Sequence, residues 1–133
     1  MSSLPEPAVA TTIERVEVYG YELTYAHGSY VMSEGRVLDA LQSTIVRVVT
    51  ADGLAGHGEV CPLGTRYLPA FAEGARAALR EICPALVGVD AANLAAVGAA
   101  MDGALLGHAY AKSPVDVACW DILGRRAGLP LYA

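Results

Sequence analysis

Two tyrosines, Tyr30 and Tyr67, are the side chains best placed to meet a ligand. Each lies in a loop bracketed by glycines, where neither strand nor helix periodicity accounts for an aromatic ring. Tyr30 shares its loop with Met32, in Ala26-His-Gly-Ser-Tyr-Val-Met-Ser-Glu-Gly-Arg36. Tyr67 follows Thr65 and Arg66 at the end of His57-Gly-Glu-Val-Cys-Pro-Leu-Gly-Thr-Arg-Tyr67, a loop that also presents Glu59. Either ring could instead pack against its own loop. The remaining chemistry-bearing residues form no complete constellation. Asp116 and Asp121 stand five apart, so they do not share a helix face, and Asp116 reads as a capping acid. His27, His57 and His108 could each act as a base, but a solvated or locally bonded imidazole is the simpler reading. Lys112, the only lysine, is expected to reach solvent or a nearby carboxylate. Cys61, Cys83 and Cys119 have neither metal-ligand nor redox spacing, and Cys83 and Cys119 are read as small apolar packing residues. Phosphate loop, zinc spacing and nucleophile elbow are all missing. No catalytic residue and no metal ligand is therefore assigned to the chain.

The elements that must hold these loops are legible from periodicity. The segment from Thr12 to Tyr25 alternates from Val16 onward and predicts a strand, with Gly20 as a candidate bulge. Strands over Thr44–Thr50 and Leu54–Val60, joined at Ala51-Asp52-Gly53, predict a hairpin. Gly56, Gly58 and Gly64 are expected to bend the chain on both sides of Cys61-Pro62. A helix is expected from Pro69 to about Cys83, interrupted by Pro84 and closed by Gly88. A second, capped by Asp90, carries the stripe Leu94, Val97, Met101 and Leu105 and ends at Gly107.

The last helix is expected to start at Ser113 as N-cap, with Pro114 in the first helical position and Asp116 as the capping-box acid. Arg125, Arg126, Gly128 and Pro130 mark its end. Val115, Ala118, Cys119, Ile122 and Leu123 form one apolar stripe, while Val117 and Trp120 make a second face apolar. That second face calls for a cover, expected to be protein beyond this chain. The order of three strands and then three helices predicts an α+β fold: a three-stranded antiparallel meander followed by a helical bundle.

Composition narrows the function classes. Only 17% of the 133 residues are charged and 54% are hydrophobic, which favours one globular domain with a real core over disorder. A net charge of -5 offers no basic stripe for phosphates, so neither nucleic acid nor an anionic membrane is an expected partner. No apolar run approaches the roughly 20 residues of a membrane-spanning helix, and the first residues lack the pattern of a signal peptide, so the expected location is cytoplasmic.

The stretch Ala111-Lys-Ser-Pro-Val-Asp-Val-Ala-Cys-Trp-Asp-Ile-Leu-Gly-Arg125, followed by Gly128-Leu-Pro-Leu131, resembles the segment joining capping domain to barrel in the mandelate racemase and muconate lactonizing enzyme group of the enolase superfamily. The strand order and Asp52-Gly53 followed by Gly56-His-Gly-Glu59 agree with it. The resemblance implies a tail over residues 1–11, an enolase-like capping domain over 12–110, and over 111–133 a joining helix leading to a (β/α)8 barrel that is not in this chain. A barrel of this type needs roughly 200 residues or more. It would carry the lysine or histidine acid/base groups and three carboxylates holding Mg²⁺, which stabilises the enolate formed on loss of a proton next to a carboxylate.

In that group the loops matching Ala26–Arg36 and Cys61–Tyr67 close over the substrate, which makes Tyr67, Tyr30, Thr65 and Met32 the expected substrate-binding residues. Gly58-Glu-Val-Cys-Pro-Leu-Gly-Thr-Arg-Tyr67 further resembles members acting on proline betaine or hydroxyproline, by epimerisation or by dehydration of cis-3-hydroxyproline. There the tyrosine matching Tyr67 faces a cationic nitrogen. The implied partners are a small carboxylate substrate, such as a cationic amino acid or betaine, the absent barrel, and further copies in a homo-oligomer. An acid-sugar dehydratase cap is the alternative enzyme. A stand-alone binding module without chemistry is the alternative of another class.

Overall fold

The computed structural model describes residues 11–133. The tail expected over 1–11 therefore lies, except for Thr11, outside the described residues. Thr11 is buried, and its hydroxyl donates to the Asp90 carboxylate.

A three-stranded antiparallel sheet is formed by β1 (Ile13–Thr24), β4 (Ala40–Thr50) and β5 (Ala55–Val60), in the order β1-β4-β5. This is the expected meander. Asp52 and Gly53 make its β4–β5 turn, with Gly53 at φ 84° and its amide donating to the Thr50 carbonyl at 2.9 Å. Between β1 and β4 a small second hairpin pairs β2 (Tyr30–Val31) with β3 (Val37–Leu38), across a turn of 3₁₀ helix at Ser33–Gly35. The segment expected as plain loop thus contains a hairpin too short to show alternation. The sheet is regular through Gly20, which pairs with Thr44, and the only β1–β4 irregularity falls between Ile13 and Arg15. The candidate bulge at Gly20 is therefore corrected.

Three helices cover one face: α1 (Ala72–Leu86), α2 (Leu94–Ala104) and α3 (Ala109–Ala127). Even-numbered residues of the sheet point into the core, where Val46 and Val48 meet Leu79, Ile82, Val115, Ala118, Cys119 and Ile122, each at most 1% exposed. Full burial of such an aliphatic side chain stabilises by about 1.5–3 kcal/mol. That gain overrides local signals at three helix ends. α1 runs through Pro84 to Leu86, because Leu86 is fully buried and a missing amide near a helix end is a small loss. α2 is capped by Asn93, whose side chain accepts the Ala96 amide at 3.1 Å, while Asp90 turns the preceding loop by accepting the Ala92 amide at 3.0 Å. α3 begins four residues before Ser113, after His108 in a left-handed conformation. Ser113 and Asp116 are therefore interior to the helix rather than its cap, and Pro114 is held within it. The added turn buries Ala111 and brings Lys112 to Asp102 at 2.7 Å, the nearby carboxylate expected for the only lysine.

Gly56 and Gly58 have a different role from the bends expected of them. Both lie inside β5, facing α3, and a Cβ on Gly58 would overlap the carbonyl of Pro114, as one on Gly56 would overlap that of Ala118. They admit the helix backbone onto the strand. Gly64 alone of the three has a positive φ, 70°. On the far side of α3, Val117 and Trp120 are 42% and 43% exposed, as the second apolar face implied. Among the described residues no helix is long and apolar enough to cross a membrane.

Since helix backbone cannot yield as a flexible side chain does, Gly58→Ala is expected to destabilise the fold by about 3 kcal/mol. Gly98→Ala, in the middle of α2 with open space around it, should instead stabilise by about 0.5–1 kcal/mol. Urea unfolding of the two variants checks both signs. A neutral Gly58→Ala would mean that α3 does not rest on β5.

Candidate functional site

Beyond the Gly20–Thr44 pair, β1 and β4 continue as a two-stranded ribbon to Thr24 and Ala40, because β5 pairs with β4 only from Thr44 back to Val49. The ribbon carries the loop 26–36, and the chain leaving β5 forms the loop 61–67. The two loops meet where Gly64 turns beneath Leu38, whose Cδ2 would lie 3.7 Å from a Cβ on the glycine. Their junction is an open depression of about 440 Å³ lined by Met32, Leu38, Leu63, Thr65 and Tyr67, with Arg36 and Arg66 at its rim. Three of the four expected substrate-binding residues, Met32, Thr65 and Tyr67, thus share one surface although more than thirty residues separate Met32 from the others in sequence.

Tyr30 does not line this depression, although it pairs across β2–β3 with Leu38, which does. Its ring stacks on Tyr25, with centroids 6.0 Å apart and planes 17° apart, and it remains 47% exposed. Tyr67, at 62%, presents most of its ring to the surroundings. Within the first loop, the Met32 amide donates to the Arg36 carbonyl at 2.7 Å and Ser29 donates to Asp39. A ligand against this depression would meet a thioether, a hydroxyl, an aromatic face and two guanidinium groups. That set suits a small molecule with a carboxylate and an apolar or cationic body.

Two polar anchors sit at the root of the ribbon, and one of them, Glu59, expected in the second loop, stands inside β5 instead. Glu59 accepts hydrogen bonds from Ser43 and, at 2.7 Å, from Tyr21, which hold its carboxyl below its ordinary value. Arg76 reaches up from α1 to Thr44 Oγ1 and the Ser43 carbonyl, each at 3.0 Å, and also binds Glu73. Their anchoring roles were not legible because their partners lie far away in sequence, or are main-chain atoms. The nearest signal was the absence of a side chain at Gly20, whose place the Arg76 guanidinium fills.

Several other acids are also occupied. Glu17 binds Arg47, Arg15 and Tyr19, which push its carboxyl down to about 2. For Asp121, burial would raise the pKa, but the Arg125 guanidinium and the His57 amide outweigh it and lower the value. Burial pushes the Cys119 thiol up to about 12 and that of Cys83 up to about 11. Among the described residues no three His, Cys, Asp or Glu side chains converge as a metal site. Most of the acids are spent on arginines, hydroxyls and amides and no three converge, so the described residues do not fit a resident Mg²⁺.

Residues 16–133 match the family described as "Mandelate racemase / muconate lactonizing enzyme, N-terminal domain". The chain belongs to this family. The resemblance read from Ala111–Arg125 is thus borne out, and so is the α+β architecture. The chain is 44% identical over 120 residues to the cis-3-hydroxy-L-proline dehydratase of Roseibium aggregatum, covering 90% of this chain and 33% of that enzyme. It superposes with a TM-score of 0.86 and 39% identity on a mandelate racemase/muconate lactonizing enzyme homologue from Roseovarius nubinhibens complexed with magnesium, over 90% of this chain and 32% of the other. The dipeptide epimerase of Enterococcus faecalis, complexed with Mg and L-Leu-L-Tyr, matches with a TM-score of 0.82 and 27% identity, over 91% of this chain and 33% of its own. The chain spans about a third of the length of the relatives it matches.

The Glu59 anchor has a pH signature. Its pKa is lowered on folding, so its contribution to stability is present above the unfolded carboxylate value of about 4.3 and is lost as pH falls through the folded value. Glu59→Gln should therefore be less stable than the parent at pH 7, with the gap closing below about pH 4. Thermal unfolding of both proteins across pH measures it, and a gap independent of pH would count against the charge on Glu59.

Proposed function

We propose that this chain is the substrate-covering cap of an enolase-superfamily enzyme that removes the proton next to a carboxylate, and that the reaction is dehydration of a 3-hydroxyproline. Residues 12–110 are the cap in this reading, and 111–133 join it to a (β/α)8 barrel supplying the acid/base groups and the Mg²⁺ ligands. The observation that carries the reading is the 44% identity to a cis-3-hydroxy-L-proline dehydratase across 90% of the chain. Met32, Thr65 and Tyr67, gathered in one depression, supply the contacts such a substrate needs.

The reaction breaks the Cα–H bond, and its electrons become the C2–C3 double bond as the C3–O bond breaks and the hydroxyl leaves with a proton as water. Mg²⁺, when bound by the barrel, neutralises charge on the substrate carboxylate. The residues of this chain bind and orient. Tyr67 offers its ring face to the secondary ammonium of the proline, an attraction worth about 2 kcal/mol once water is excluded. Thr65 can hydrogen-bond a polar edge of the substrate, and Met32 packs against its methylenes. Tyr30, stacked on Tyr25, stiffens the loop bearing Met32.

In the complete enzyme, Tyr67→Leu should lower kcat/KM on cis-3-hydroxy-L-proline by about 5- to 30-fold, or 1–2 kcal/mol of transition-state stabilisation, while Tyr67→Phe stays within about threefold. Equal losses for the two variants would replace the ring-face contact with a hydrogen bond from the phenol. Turnover of proline betaine or an acid sugar in place of hydroxyproline would overturn the dehydratase assignment.

A further inference from the structure

We infer that Arg76 is a positioning residue: by filling the space left by Gly20 and binding β4, it fixes the angle at which the β1–β4 ribbon carries the loop 26–36. The sheet loses its third strand at one row. Thr44 is the last β4 residue paired with β5, and from Tyr21↔Ser43 outward the ribbon has two strands only. A two-stranded ribbon twists and bends more readily than a three-stranded sheet, so this row is where the projecting loop would swing.

At that row, clamps act from both faces. On the helix side, the Arg76 guanidinium lies where the Gly20 side chain would be, donates to Thr44 Oγ1 and to the Ser43 carbonyl, and is held by Glu73 from its own helix. On the opposite face, Glu59 ties Tyr21 of β1 and Ser43 of β4 to the end of β5. Arg76 is only 18% exposed, so its hydrogen bonds compete weakly with water, and they join the ribbon root to α1, which is anchored in the core by Leu79 and Ile82. Glycine at position 20 follows as a steric consequence, since its pairing is regular and its φ is not positive.

The consequence for catalysis rests on the reading of loop 26–36 as substrate-facing, but the clamp itself does not. Hydrogen exchange in the complete enzyme separates the two. Arg76→Ala should speed exchange of ribbon amides in residues 20–24 and 40–44 by about tenfold, with α3 amides changed by less than about twofold. Gly20→Ala should act through the same contact, so that adding it to Arg76→Ala changes ribbon exchange by less than about twofold. Should Arg76→Ala fold poorly, Thr44→Val removes one partner of the guanidinium and should move ribbon exchange in the same direction by less.

In kinetics, loosening the loop should raise KM for cis-3-hydroxy-L-proline at least about fivefold and leave kcat within about twofold. Unchanged ribbon exchange, equal acceleration in α3, or additive effects of Gly20→Ala and Arg76→Ala would overturn the clamp. A loosened ribbon with an unmoved KM would overturn the positioning role. If the parent enzyme ignores this substrate, the dehydratase reading fails while exchange still decides the clamp.

Discussion

The seating of α3 directly on β5 is the contact on which the rest of the structure depends. Two strand residues without side chains let the carbonyls of Pro114 and Ala118 rest against the backbone of Gly56 and Gly58. At that distance Val115, Ala118, Cys119 and Ile122 reach the sheet and disappear from solvent. Polar ties then fix rotation and tilt. The His57 amide donates to Asp121 at 3.1 Å, and Arg126 binds the hairpin acid Asp52 at 2.6 Å. With one face of α3 so consumed, Val117 and Trp120 must face outward, and the tail of the helix adds Leu129 and Leu131 to the same apolar surface. An exposed apolar patch of this kind is typical of an interface.

The candidate site lies past the Val60 end of β5, at the end of the sheet remote from the Asp52-Gly53 turn. Its residues come from two loops that leave the rim of the sheet and meet where Leu38 lies against the Gly64 turn. Geometry there is inherited from the ribbon, and the ribbon from its root. Arg76, with three hydrogen-bond partners, and Glu59, with two, sit at that root. Rigid elements carry the precision, and loops carry the contacts.

Titratable groups with displaced values are displaced away from neutrality. Glu17, Glu59, Asp52 and Asp121 are lowered, and Cys83, Cys119 and Tyr110 are raised. Each therefore keeps one protonation state near pH 7, the reverse of what a general acid or base requires.

Sequence alone determined the elements whose causes are local. Alternation of residues from Val16 made β1, Asp52-Gly53 made the hairpin, and 3.6-residue stripes made the helices, α3 ending at Gly128 as expected and α2 stopping at Ala104, short of Gly107, since turn chemistry and periodicity act over a few residues. The family was legible in the stretch from Ala111 to Arg125, and the two loops bearing Tyr67, Tyr30, Thr65 and Met32 were marked by their glycines. Tertiary structure alone decided where α3 starts, because burial of Ala111 and the Lys112–Asp102 pair outweigh the capping preference of Ser113-Pro114. It alone gave Gly20, Gly56 and Gly58 their reasons, which are the guanidinium and the helix carbonyls that occupy the missing side chains' space. It also set the Tyr30 ring on Tyr25 while Tyr67 lines the depression with Met32 and Thr65, because what an aromatic ring meets depends on which residues the fold brings beside it.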